Sequence, residues 1–144
     1  MELPLSISRP SKKKPKNLES TFYQALKRNQ KKHRPDAHFT RLESWASQGV
    51  PDLVVCSESG RFSFWELKTT SGNAVALSPH QVSWLTQHQH SPAFVLVRTS
   101  SDEIHVYAAA QAVELRERGL MVEPLSSFKT PFDWPALFRL TIAT

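Results

Sequence analysis

At 144 residues, with 40% apolar and 22% charged residues, the chain has the size and composition of one soluble domain that can bury a core without cross-links. Its single cysteine, Cys56, excludes an internal disulfide and reads as a small core residue in a reducing, cytoplasmic setting. No apolar run approaches the ~18 residues of a membrane span, and the N-terminal stretch lacks the apolar block of a secretory signal.

The formal net charge of +5 is unevenly spread. Residues 1–34 hold ten Lys/Arg and two Glu, whereas residues 35–144 hold eight Lys/Arg and eleven acids. A basic arm on a mildly acidic body points to a polyanion, of which nucleic acid is the commonest; a solubilising tail is the bland alternative.

Residues 1–17, with three prolines and a lysine run, read as a flexible basic arm, and residues 18–144 as one domain. Leu18, Phe22, Ala25 and Leu26 recur at helical spacing and predict an amphipathic helix to about Lys32, stopped by Pro35. "AHFTRLESW" then alternates as a strand. "GVPD" is turn chemistry leading into a strand over residues 52–56, "SESGR" a hairpin loop, and residues 62–69 the returning strand.

Ser78 as N-cap, Pro79 at the first helical position and Gln81 at the capping-box position open a helix to about Gln89. "AFVLVR" reads as a buried strand and "IHVYAA" as the next, followed by a helix from about Ala109 that Gly119 terminates. Residues 18–118 form the core in this reading, and 119–144 an aromatic extension with a short helix. The strand–helix–strand over residues 62–98 predicts a parallel crossover, so the fold class is α/β, with a mixed sheet of about five strands flanked by helices.

Strand alternation sets Phe62, Phe64, Glu66 and Lys68 on one face, so an acid and a lysine project side by side. Asp52 at the head of the neighbouring strand can reach the same end of the sheet. Two carboxylates ~4 Å apart repel by roughly 4 kcal/mol at an effective dielectric of 20. A divalent cation offsets that repulsion better than Lys68 does, and oxygen-only ligands favour Mg²⁺ or Mn²⁺. Such an ion activates water toward a phosphoryl centre, and Lys68 can orient that water or balance charge. A plain surface ion pair between Glu66 and Lys68 is the alternative for that triplet taken alone.

The wider pattern narrows the choice. "GVPDL" at 49–53 and "WELKT" at 65–69, with fourteen positions from Asp52 to Glu66, resemble the PD-(D/E)XK nuclease superfamily. "LSPHQVSWL" at 77–85 resembles the Ser-Pro-x-Gln helix start of its viral-type replication-repair nuclease (VRR-NUC) group. The resemblance covers about residues 18–108. It implies a restriction-endonuclease-like core and metal-dependent hydrolysis of DNA. It also implies Asp52, Glu66 and the Leu67 carbonyl as metal ligands, Lys68 as the catalytic lysine, Gln81 as the supporting glutamine, and Glu19 as an acid reaching the metal directly or through water.

Local chemistry offers each of these a second role: Glu19 as a first-turn acid, Gln81 as a capping-box partner. Glu43 reads as a strand-surface residue. The six histidines are scattered without an HExxH, and no Gly-rich loop suggests a nucleotide cofactor. Lys12, Lys13, Lys14 and Lys16, with Lys27, Arg28, Lys31, Lys32, Arg34 and Arg41, are the expected DNA-backbone contacts. The short chain resembles Holliday-junction resolvases, which implies branched DNA and a homodimer. Phe128, Phe132, Trp134 and Phe138 are open to two fates, dimer surface or intramolecular core.

Overall fold

The computed structural model describes residues 18–42 and 47–144. Helix α1 (Leu18–His33) buries Phe22, Tyr23 and Leu26, and its acidic first turn and basic last turn complement the helix dipole. The amide of Gln30 donates to the carbonyls of Arg34 (2.7 Å) and Ala37 (2.8 Å) and steers the chain off the helix end into β1 (His38–Arg41). The observed strand is shorter than the nine residues its alternation suggests, and residues 43–46 lie outside the described chain.

Strands β2 (Leu53–Cys56) and β3 (Phe62–Thr70) form the expected hairpin, with Leu53 opposite Trp65. Helix α2 (Pro79–Gln87) carries the chain over one face of the sheet to β4 (Ala93–Thr99), which lies parallel to β3. Strand β5 (Glu103–Ala108) follows antiparallel, then α3 (Ala112–Arg118). Gly119 ends α3 with φ +63, and a Cβ there would stand 2.1 Å from the Asn73 carbonyl oxygen, so only glycine fits.

The sheet has six strands in chain order, antiparallel except for the β3–β4 pair. The unanticipated strand is β6 (Ser126–Lys129), paired with β5. Its sequence, SSFK, carries one apolar side chain and depends on that pairing rather than on intrinsic preference.

Each face has its own core. Trp65, Leu67, Leu96 and Val106 pack under α1 and α4 (Trp134–Thr141), while Val95, Val97 and Tyr107 pack under α2 and α3. Trp65 is wholly buried, stacks on Phe138, and donates its indole N–H to the Thr141 carbonyl at 3.1 Å. Phe138 is equally buried, and Phe128, Phe132 and Trp134 pack against the same cluster. Of the two fates open to the aromatic tail, the structure realises the intramolecular one. Residues 119–144 contribute a strand and a helix to this sheet and core.

Candidate active site

Leu53 pairs with Trp65 and both face the α1 side, so Asp52 and Glu66, one residue outward on each antiparallel strand, share the α2 face. Asp52 is held in place by its neighbour's backbone: its Oδ2 accepts from the Leu67 N–H at 2.8 Å. In a strand the N–H and C=O of one residue point the same way, so the Leu67 carbonyl lies on the β2 side of β3, as its N–H does.

Glu66 is the most enclosed member, only 2% exposed. Its Oε2 accepts from Gln81 Nε2 at 3.0 Å and lies 3.6 Å from Lys68 Nζ. Burial and then the negative charge of Asp52 push its carboxyl up to about 8, against a partial offset by Lys68. The two acids therefore sit as a pair that holds a proton where a cation would balance them.

Gln81 makes two contacts with one amide, one to Ser78 and one to Glu66. Its Oε1 accepts from the Ser78 backbone N–H at 2.9 Å while its own backbone N–H donates to Ser78 Oγ at 3.1 Å. That closes the capping box and leaves Nε2 for Glu66.

Glu19, on the first turn of α1, comes into the same field from the other face of the sheet. Its carboxyl is raised by burial, lowered by Lys68, raised by Asp52 and lowered by Arg41. Among the described residues no three acids, histidines or cysteines converge as a preformed metal cage. The donor set that could hold a metal is Asp52, Glu66 and the Leu67 carbonyl. It is all oxygen and carries excess negative charge, which fits a hard divalent cation that keeps several waters.

The basic residues divide. Lys12, Lys13, Lys14 and Lys16 lie outside the described chain. Lys27, Arg28 and Lys31 line one shallow groove of α1, and Lys32 is exposed beside them. Arg34 is turned away to Glu58, which its Nε and Nη2 grip at 2.6 and 2.7 Å. Arg41 lies over the Tyr23 ring at 4.6 Å, with Lys27 at 5.9 Å from the same ring.

No protein-family model matches the chain, and no curated protein matches it. Among solved structures it is similar to Archaeoglobus fulgidus Hjc, a Holliday junction resolvase from an archaeal hyperthermophile. That protein is 16% identical with a TM-score of 0.48, and the likeness covers 62% of this chain and 76% of that one.

One contributor to the site carried little signal in the sequence. Gly49 reads there as turn chemistry and as the first residue of the GVPDL pattern, with nothing to tie it to α2. In the structure it has φ +88, and a Cβ on it would stand 2.2 Å from the His80 carbonyl oxygen and 3.0 Å from the Gln81 nitrogen. The loop bearing Asp52 thus touches the first turn of α2 backbone to backbone.

Proposed function

We propose that the protein is a divalent-metal-dependent endonuclease of the PD-(D/E)XK type, with the VRR-NUC arrangement of a helix glutamine behind the second acid. The observation that carries this reading is a nearly buried Glu66 set on one sheet face with Asp52, with Lys68 and Gln81 both on Glu66. A surface ion pair does not account for a nearly buried glutamate set against an aspartate.

Asp52, Glu66 and the Leu67 carbonyl would hold Mg²⁺ or Mn²⁺, with Glu19 joining directly or through water. The cation, when bound, neutralises the phosphodiester oxygens and acidifies water. Gln81 fixes the Glu66 rotamer. Lys68, beside Glu66, orients the attacking water and balances negative charge on the phosphoryl group as the new P–O bond forms and the bond to the leaving sugar oxygen breaks.

The DNA backbone would run over Lys27, Arg28, Lys31 and Lys32 of α1 and past Arg41 to the acids, with Lys12–Lys16 adding phosphate contacts. Branched DNA is the proposed substrate, cut as a Holliday junction by a homodimer acting in the cytoplasm. With the tail aromatics in the core, the dimer must use another surface.

The test is a substrate panel of four-way junction, flap and linear duplex with Mg²⁺. Paired symmetric cuts in the junction support the resolvase reading. Cutting confined to flap or linear DNA keeps the nuclease and replaces its substrate. Binding without any cutting makes the protein an inactive DNA-binding module.

A further inference from the structure

The first turn of α2 does more than begin a helix. Ser78 sits at φ −76, ψ 160, an extended conformation that aims its N–H at Gln81 Oε1 while its Oγ receives the Gln81 N–H. An unconstrained glutamine amide can present either its oxygen or its nitrogen to a neighbour. Here the oxygen is occupied by Ser78, so only the nitrogen is available to Glu66, whose oxygen it meets at 3.0 Å.

The same turn rests on Gly49. A side chain there would collide with the His80 carbonyl, which belongs to rigid helix backbone and cannot give way. Gly49 lies three residues before Asp52, and Gln81 grips Glu66. The helix start therefore touches the loop of one acid and the side chain of the other.

We infer that the α2 capping box and its seat on Gly49 are the positioning device of the site: Ser78 dictates which way the Gln81 amide faces, and Gly49 sets how closely that amide approaches the Asp52–Glu66 pair. Ser78 and Gly49 are positioning residues that touch no reacting atom. The inference rests on the reading of the acids as a metal site, but its geometric half stands on the apoprotein.

Partners that orient a ligand's carboxylate from outside the metal shell commonly change metal affinity by about 10-fold or more. Ser78→Ala removes only the cap oxygen and keeps the N–H that holds Gln81 Oε1, whereas Ser78→Pro, which fits φ −76, removes both. Ser78→Asp supplies another acceptor for the Gln81 N–H, since aspartate is an equally good N-cap.

The experiment uses the full chain labelled with ¹⁵N. The Gln81 side-chain amide signals are assigned by their loss in Gln81→Leu and followed in the metal-free protein, and Mg²⁺ binding is then measured by calorimetry. Wild type should show Gln81 side-chain amide signals displaced from free-glutamine positions and protected from exchange with water, since both ends of the amide are bonded. Ser78→Pro, where circular dichroism shows it folded, should move those signals toward free-glutamine positions and weaken Mg²⁺ binding by about 10-fold, and Ser78→Asp, which keeps the N–H, should match wild type.

Gly49→Ala, where circular dichroism shows it folded, should weaken Mg²⁺ binding without moving the Ser78 cap. Unchanged Gln81 signals in folded Ser78→Pro overturn the inference whether or not metal binds. A wild type with fixed Gln81 signals that binds no Mg²⁺ sinks the metal-site reading and leaves the orienting contact standing. Normal Mg²⁺ binding in both folded Ser78→Pro and folded Gly49→Ala removes the positioning role while sparing the nuclease.

Discussion

Asp52 is anchored to Leu67: the aspartate's Oδ2 takes the backbone N–H of the residue that follows Glu66 on the neighbouring strand. A side chain replaces the strand partner where β2 runs out, and the first acid is fixed relative to the second without contribution from any cation. Asn at position 52 keeps an acceptor for that N–H and loses the charge. Asp52→Asn should therefore fold normally and bind Mg²⁺ poorly. In EDTA it should gain stability on the order of 1 kcal/mol, less than the full Coulomb repulsion because Glu66 already evades part of it by holding a proton. Urea melts with and without Mg²⁺ measure both effects; a variant that binds Mg²⁺ as well as wild type contradicts the ligand assignment.

The lysine separates chemistry from binding. Lys68→Met should lower the cutting rate by about 10²–10⁴-fold while leaving DNA affinity nearly unchanged. Single-turnover cleavage beside a binding titration distinguishes the two quantities. Full activity in this variant removes Lys68 from the mechanism.

Glu66 makes the metal-free protein sensitive to pH. Its carboxyl titrates near 8 in the fold and near its ordinary 4.5 when unfolded, so between these values the folded state binds more protons. The Glu66 contribution to stability is thus most favourable below 4.5, falls as pH rises toward 8, and levels off above. Urea melts in EDTA should show wild type losing stability relative to Glu66→Gln across that window, with saturating Mg²⁺ reversing the loss at the upper end. A wild type that gains on Glu66→Gln as pH rises would contradict the sign.

The cations should be unequal. Replacing Lys27 and Lys31 with glutamine should weaken DNA binding and lower the salt slope by about one for each phosphate no longer neutralised. Arg34→Gln should do less, because Glu58 already holds that guanidinium and Arg34 in turn lowers the Glu58 carboxyl to about 2. Deleting residues 1–16 should flatten the salt dependence further. Equal slopes for all variants would place the DNA elsewhere.

The elements closest to the acids are the most legible in the sequence, because local rules determine them. Alternation along residues 62–69 sets Glu66 beside Lys68, and Ser78, Pro79 and Gln81 announce α2 by capping chemistry. The parallel β3–β4 crossover follows from the strand–helix–strand order. What escapes depends on partners distant in the chain. Strand β6 exists because β5 offers an edge, and Arg34 meets Glu58 twenty-four positions away. Whether the tail aromatics face a core or a partner is decided by Trp65, over seventy positions from the Thr141 carbonyl that accepts its indole N–H. Gln81's double role is hidden for a different reason: its two uses look like rivals in the sequence, and only geometry shows that the two ends of one amide serve both.

The most direct measurement is cleavage of four-way-junction, flap and linear DNA by wild type and Asp52→Asn, each with Mg²⁺, Mn²⁺ or EDTA. The account predicts cutting by wild type with either cation, none in EDTA, and none by Asp52→Asn under any condition. Cutting that persists in EDTA or survives in Asp52→Asn would show that the paired acids are not the hydrolytic centre.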